Sequence, residues 1–489
     1  MKRMIKVGAI AMAGIVTASV LSGCGSLTGE KKQEASKDKM TTLLMYQIGD
    51  KPKNFDALME VANKRIAEKM NVQLDLQYIG WGDYEKKMSV IVSSGENYDI
   101  AMAKNYVTNA QKGAYADLTE LLPKYASEAY EMLDEGYKKG NEINGKMYSF
   151  PVNADISINQ KLTFNKTLLD KYDLDISKVK QYADLEPLLK VIKEKEPQVT
   201  PIAIGQGFRA ESVSGYDYPL GNGMPFAVEF EGEDTAIFNP FDRPEMLKSL
   251  NAMHRFYEAG YVPKDADTSN RVYPLEADTW FVRQETEGPY NFGDYGLSVI
   301  AGKELVSKPI TKPYKTPNAA QGAAFVVSSG SKNTEKAVEL LGLLNSDAEL
   351  LNGLVLGIEG DAWEKVENNR MRLLDGYQPN MHMSGWNTGN NKILYVDEMI
   401  SDERIKERDE VLQNSKESPM LGFNFKTDKV KNELSNINNV MTQYLDGLSV
   451  GTLEAGKTVP EMNKKLATAG YATVLKEMQK QYDEFKAQQ

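Results

Sequence analysis

Residues 41–102 read TTLLMYQIGDKPKNFDALMEVANKRIAEKMNVQLDLQYIGWGDYEKKMSVIVSSGENYDIAM, and two hydrophobic periods alternate along them. Thr41 to Tyr46 is short and apolar, as a strand. Phe55, Leu58, Met59, Ala62, Ile66 and Met70 keep helical spacing, whereas Val72, Leu74, Leu76 and Tyr78 alternate with Gln73, Asp75 and Gln77, the period of a strand. After Gly80-Trp81-Gly82 a second helix is expected from about Asp83 to Ser93, and Tyr98 to Met102 reads as a third strand. The order β-α-β-α-β with right-handed crossovers makes a parallel sheet, and ligands of such sheets bind beyond the carboxyl ends of the strands. Here those ends are Gln47 to Asp50, Gly80 to Tyr84 and Lys104 to Tyr106.

Working outward, Ile202-Ala203-Ile204 predicts a strand of a second set, ending at Gly205 and separated from the first sheet by a long helical region. From Asp428 onward the pattern is helical. Val430, Leu434, Ile437, Met441 and Tyr444 mark one apolar face, and Tyr471, Val474, Met478, Tyr482 and Phe485 another. In the other direction, Lys2, Arg3 and Lys6 precede an uncharged apolar run from Val7 to Leu21, which reads as a signal peptide, too short to span a membrane. Leu21-Ser22-Gly23-Cys24 follows and resembles a bacterial lipobox. That resemblance implies cleavage before Cys24, a diacylglyceryl thioether on its sulfur and acylation of the new amino terminus, enough chains for stable anchoring. Cys24 is the one cysteine, so a disulfide within the chain is excluded. Residues 25–39 are rich in Gly, Ser, Lys, Glu and Gln and read as a tether.

With 489 residues, 41% hydrophobic and 26% charged, the chain is globular and too long for one small core. Removing the signal peptide takes the formal charge from −11 to −14, which argues against nucleic acid or anionic lipid headgroups as partners.

Several stretches together resemble the extracellular solute-binding proteins of ABC importers, in particular carbohydrate-type lipoproteins with a family-specific C-terminal domain. They are Ser93 to Ile100, Gly113 to Thr119, Asn144 to Pro151 followed by Phe164-Asn165-Lys166, Ala324 to Ser328 with Lys332 to Ala337, and Gly357-Ile358-Glu359-Gly360. Trp363 departs from the Tyr expected after the last of these. The resemblance implies a two-lobed, type II periplasmic-binding-protein-like α/β fold with a hinge and a helical C-terminal region. It divides the chain into a signal peptide (1–23), a lipidated tether (24–40), lobe 1 (41–151), lobe 2 (152–305), a return to lobe 1 (306–352) and the rest of lobe 2 with the C-terminal domain (353–489). It also implies ligand trapped as the lobes close, permease subunits in the membrane as partners, a lipid-anchored place on the extracytoplasmic face and a monomer.

Catalytic-looking motifs fail on context. Gly451 to Thr458 matches the P-loop pattern but leaves a helix rather than a buried strand, and puts Glu454 inside the supposed anion nest; Thr458 and Glu461 read instead as a capping box starting the last helix. Gly447-Leu448-Ser449-Val450-Gly451 matches a nucleophile elbow, yet no histidine follows Ser449; the two histidines, His254 and His382, come earlier. Gly205 to Ala210 mimics a dinucleotide fingerprint without a helix behind it and reads as a ligand-facing loop. Asp265, Asp267, Ser269 and Glu276 fall on EF-hand positions, but Asn270 replaces the turn glycine and Pro274 interrupts the loop. No cofactor, metal or catalysis is expected.

A sugar site pairs aromatic platforms for C–H faces with polar side chains for hydroxyls. The candidates are Asp50, Trp81 and Asn105 at the first-lobe strand ends, Asp155 just past Pro151, Arg209 and Tyr218 after the second-lobe strand, Tyr290 in Gly288-Pro289-Tyr290, and Trp386 in Ser384-Gly385-Trp386-Asn387. Each has a plainer role open to it: core for the aromatics, a turn or cap for Asp50, Asn105 and Asp155, a salt bridge for Arg209. The function expected is capture of a carbohydrate, an oligosaccharide by preference, for delivery to a permease. The other readings are a surface-anchored carbohydrate hydrolase working through paired carboxylates, or a binder of a peptide or other polar solute.

Overall fold

The computed structural model describes residues 40–205, 207–210, 215–231, 236–269 and 271–488. Cys24, the residues read as signal peptide and all of the tether but Met40 lie outside them.

Strand β1 (Thr41–Ile48) runs parallel to β2 (Val72–Ile79) in unbroken register from Thr41 opposite Val72 to Ile48 opposite Ile79, and parallel to β3 (Ile100–Met102) on its other side. Helix α1 (Phe55–Met70) buries Leu58, Met59, Ala62 and Ile66, the positions its spacing marked, and stops at Asn71, whose left-handed backbone returns its N–H to the Ala67 carbonyl. Helix α2 (Tyr84–Ser94) buries Tyr84, Met88 and Ile91. The strands Ala324–Val327 and Ser149–Pro151 complete the five-stranded sheet, antiparallel at each step from β3.

The second sheet is built on the long strand Ser157–Asn165. Trp280–Glu287 pairs antiparallel with one edge of it, and Thr200–Ile202 pairs parallel with that strand in turn. Leu305–Pro309 and Tyr314–Lys315 pair antiparallel with the other edge. Each sheet has its own core, one around Leu43, Ile66, Ile100 and Phe325, the other around Leu162, Phe164, Phe256 and Phe281. Every such fully buried side chain stabilises by about 1.5–3 kcal/mol, so each sheet has a separate hydrophobic reason to fold.

Four details differ from the sequence pattern. The second-sheet strand is Thr200–Ile202, two residues earlier than the Ile-Ala-Ile run suggests, because Thr200 pairs with Trp280. Strands 305–309 and 314–315 still belong to the second sheet, and pairing in the first resumes only at Ala324. Helix Ala348–Leu356 sends Leu350 and Leu354 into the first core, and a three-stranded sheet with its own cluster of Leu356, Trp363, Met371 and Tyr395 follows; pairing with the second sheet returns at Lys416–Glu417. Finally, Thr458 and Glu461 do not start a helix. Helix Ala455–Ala469 begins three residues before Thr458, with Ala455 fully buried, and Gly470 separates it from Tyr471–Lys486.

The topology fixes where the sheets meet. Ser149–Pro151 runs parallel to β1–β3, so the chain leaves the first sheet at the carboxyl edge of those strands, and it re-enters at Ala324 on the same edge. In the second sheet Ser157 begins its strand at the crossing, which puts there the carboxyl ends of Trp280–Glu287 and Thr200–Ile202. Both sheets thus turn toward the joint the edge at which α/β proteins bind ligands.

Candidate functional site

On the first sheet's edge, Trp81 sits in the turn in which Asp83 and Tyr84 return their N–H groups to the Gly80 carbonyl. Its ring stacks on that of Trp386, with centroids 5.9 Å apart and planes 18° from parallel. The two remain 52% and 42% exposed, which excludes a core role for either. Trp386 is brought there by the buried Gln47 at the end of β1, whose Nε2 donates to the Asn387 carbonyl at 2.7 Å. Nothing stands within 4 Å of where a side chain at Gly80 or Gly82 would begin, whereas one at Gly49 would begin 3.4 Å from the Trp81 ring. Asp50 is exposed and follows Gly49, which lies against the Trp81 ring. Asn105 has a left-handed backbone and donates from Nδ2 to Glu85 Oε1 at 3.2 Å, at one end of a groove of about 590 Å³ between α2 and the helix Tyr106–Gln111.

In the first crossing, the Asp155 carboxylate accepts the Tyr290 N–H and lies against Gly288, while its Oδ1 is buried without a partner. Burial pushes this carboxyl up to about 6; the Tyr290 N–H and the Lys161 ammonium pull it down less strongly. The folded chain therefore holds the Asp155 proton more tightly than the unfolded chain does. Its contribution to stability is complete below the unfolded value of 3.8 and is lost as the pH rises through about 6. Asp155→Asn, neutral throughout, is expected to be more stable than the parent by ~2 kcal/mol at pH 7.5 and equal to it near pH 4, in denaturant melts at the two pH values. Burial also holds Asp217 up to about 6, but it is common to both proteins and cancels. The Tyr290 ring is half-buried under the Arg408 guanidinium, 5.4 Å from its centroid, and its phenol is raised by burial.

On the second sheet's edge, Arg209 pairs with Asp446 at 2.7 Å. Beside it runs an amide network that the sequence reading missed: Gln160 Nε2 donates to Thr286 Oγ1 at 2.8 Å, and Gln284 Nε2 donates to Gln160 Oε1 at 3.0 Å. Tyr218 lines a recess of about 120 Å³ with Asn159, Gln160, Asn222, Phe230 and Thr311. The signal for these was an unusual run of Asn, Gln and Thr inside strand patterns. The structure therefore joins Trp81 to Trp386 and Asp155 to Tyr290, sets Arg209 and Tyr218 on the opposite sheet's edge, and leaves Asn105 on a flank groove.

The discarded motifs have structural duties. Gly451 caps a helix with positive φ, and a side chain there would begin 2.2 Å from the Met253 carbonyl oxygen; Lys457 pairs with Glu454 at 2.6 Å. His254 Nδ1 lies 2.8 Å from the Gly451 carbonyl, and His382 stacks on Tyr377. Asp265 pairs with Arg271, and Asp267 accepts from Thr452. Among the described residues no cluster of three or more His, Cys, Asp or Glu could hold a metal ion, and no helix is long and apolar enough to cross a membrane.

Comparison with known proteins gives two family matches, bacterial extracellular solute-binding protein over residues 49–349 and a domain of unknown function, DUF3502, over residues 419–487. A carbohydrate ABC transporter substrate-binding protein of Streptococcus pneumoniae serotype 4 (strain ATCC BAA-334 / TIGR4) is 52% identical over 481 residues, 98% of each chain. Among solved structures, the N-glycan transport solute binding protein NgtS of Streptococcus pneumoniae in complex with Man1GlcNAc is 52% identical with a TM-score of 0.87, covering 91% of this chain and 99% of that one. The same protein in complex with Man5GlcNAc is 53% identical with a TM-score of 0.85, covering 91% and 98%.

Proposed function

We propose, for a chain that belongs to the bacterial extracellular solute-binding protein family, that it is the receptor of an ABC importer and captures an oligosaccharide between its two lobes for delivery to a permease. The observation that carries this reading is the stacked, half-exposed Trp81–Trp386 pair on the sheet edge that faces the joint. Flat apolar rings left in water are what the C–H faces of sugars stack on. A mannose-containing glycan ending in N-acetylglucosamine is the ligand class, because one relative, more than half identical over 91% of this chain, is solved with two such glycans. Asp50, Trp81, Asp155, Arg209, Tyr218, Tyr290 and Trp386 are assigned to the cleft and Asn105 to its margin. Three acids at the joint are neutralised by cations, Glu287 by Lys161, Glu285 by Arg283 and Asp446 by Arg209, which supports a receptor over a hydrolase working through a pair of them.

Calorimetric titration of residues 40–489 with mannosyl-N-acetylglucosamine and with the five-mannose glycan is expected to give one site per chain. Absence of heat with both, and of any rise in melting temperature, would remove the reading. The anchor belongs to the same proposal and rests on the Leu21 to Cys24 pattern. Cys24→Ser is expected to release the folded protein from the membrane fraction with its glycan affinity intact; retention in membranes would contradict it.

A further inference from the structure

We infer that the recess on the second sheet's edge reads the 2-acetamido group of the glycan's N-acetylglucosamine, while the tryptophan pair takes the mannose arms; this rests on the oligosaccharide reading above. The recess lies at the joint, where Ile158 to Gln160 begin their strand and Thr311 to Asn318 lead the chain back toward the first sheet. Its chemistry is amide and aromatic rather than charged. Asn222 and Asn318 are exposed and make no side-chain hydrogen bond with the described residues, and Asn159 holds only a 3.4 Å contact to the Thr311 carbonyl. The nearby acids are engaged elsewhere, Asp217 with the Ser418 hydroxyl and Glu231 with Lys312.

One wall is rigid and apolar. The Phe230 ring stacks flat on Tyr314, centroids 4.1 Å apart and planes 11° from parallel. Gly215, at φ +72°, lets the chain pass beneath that ring, since a side chain there would begin 3.0 Å from it. An acetamido group presents a coplanar N–H and C=O with a methyl beyond them. Carboxamide side chains supply the matching acceptor and donor, and the aromatic side chains lining the recess, Tyr218 and Phe230, receive the methyl. A sugar bearing only a hydroxyl at that carbon leaves an amide unpaired and the aromatic wall wet. Size assigns the ends. A recess of about 120 Å³ suits the fixed end of the ligand, and the open Trp81–Trp386 face suits the end whose sugar count varies.

The experiment compares mannosyl-N-acetylglucosamine with mannosyl-glucose of the same linkage, by calorimetry, on the wild type and on the Asn222→Ala/Asn318→Ala double variant. The wild type is expected to bind the acetamido disaccharide at least about tenfold more tightly, the size of one good hydrogen bond with its apolar contact. In the double variant that ratio falls toward one with the melting temperature unchanged, both residues being exposed. Equal wild-type affinity for the two disaccharides overturns the assignment and leaves the receptor reading standing, as does a ratio undiminished in the variant. Failure of the wild type to bind either disaccharide or the five-mannose glycan overturns both.

Discussion

Trp81→Ala is expected to weaken glycan binding by about 2–4 kcal/mol, a factor of roughly 30 to 1,000 in dissociation constant, while the fold loses less than the ~3–5 kcal/mol of a core aromatic. The asymmetry follows from exposure. At 52% exposed, Trp81 has half its surface still to bury, and a ligand that covers it gains what the fold does not use. Trp386→Ala should produce a loss of the same order, and the double variant less than the sum, because the rings touch. Trp280 is the internal control. It is fully buried, donates from Nε1 to the Pro274 carbonyl at 2.9 Å and carries Arg283 and Lys303 over its ring, so Trp280→Ala should cost stability first. Calorimetry and denaturant melts on the three variants separate the roles. A large stability loss for Trp81→Ala with unchanged affinity would move Trp81 into the core.

The second large effect is expected at Gly288. A side chain beginning there would lie 1.9 Å from Asp155 Oδ1 and 2.5 Å from Asp155 Cβ, and the Cβ contact cannot be relieved by rotating the carboxylate. Gly288→Ala must therefore push the crossing segment away from the turn that carries Tyr290, breaking the Tyr290 N–H bond to Asp155. A stability loss of about 2–4 kcal/mol is expected, with weakened glycan binding as the joint is displaced. Adding Asp155→Ala should recover part of it, and the double-mutant cycle should give a coupling of at least ~1 kcal/mol. A Gly288→Ala variant that melts and binds like the parent would mean that the joint tolerates the shift and that this contact does not organise the site.

The first sheet was legible because α1, β2 and α2 carry their period within short windows, and each buried face could be counted from spacing alone. The carboxyl ends of its strands followed, and with them Trp81. Trp386 could be suspected from its glycine-flanked setting, but not its stacking on Trp81, which depends on Gln47 reaching the Asn387 carbonyl across most of the chain. The amide network was not legible because Gln284 and Thr286 sit between the charges Arg283, Glu285 and Glu287, and Asn159 and Gln160 lead into Lys161, so polarity reads as solvent exposure. The capping box failed for a related reason. Thr458 and Glu461 have the right spacing, but burial of Ala455 pulls the helix start upstream, and packing outweighs a cap worth about 1 kcal/mol. The return to the first sheet was placed early because Leu305 to Pro309 is too short a strand to reveal which sheet it joins; its pairing with Lys161 to Asn165 decides that.

If the two lobes close on a glycan at the edge where both sheets present their strand ends, solution scattering of residues 40–489 with and without saturating five-mannose glycan registers the closure. The radius of gyration is expected to fall and the longest interatomic distance to shorten when the glycan is added. Identical profiles with the glycan demonstrably bound would contradict capture between the lobes.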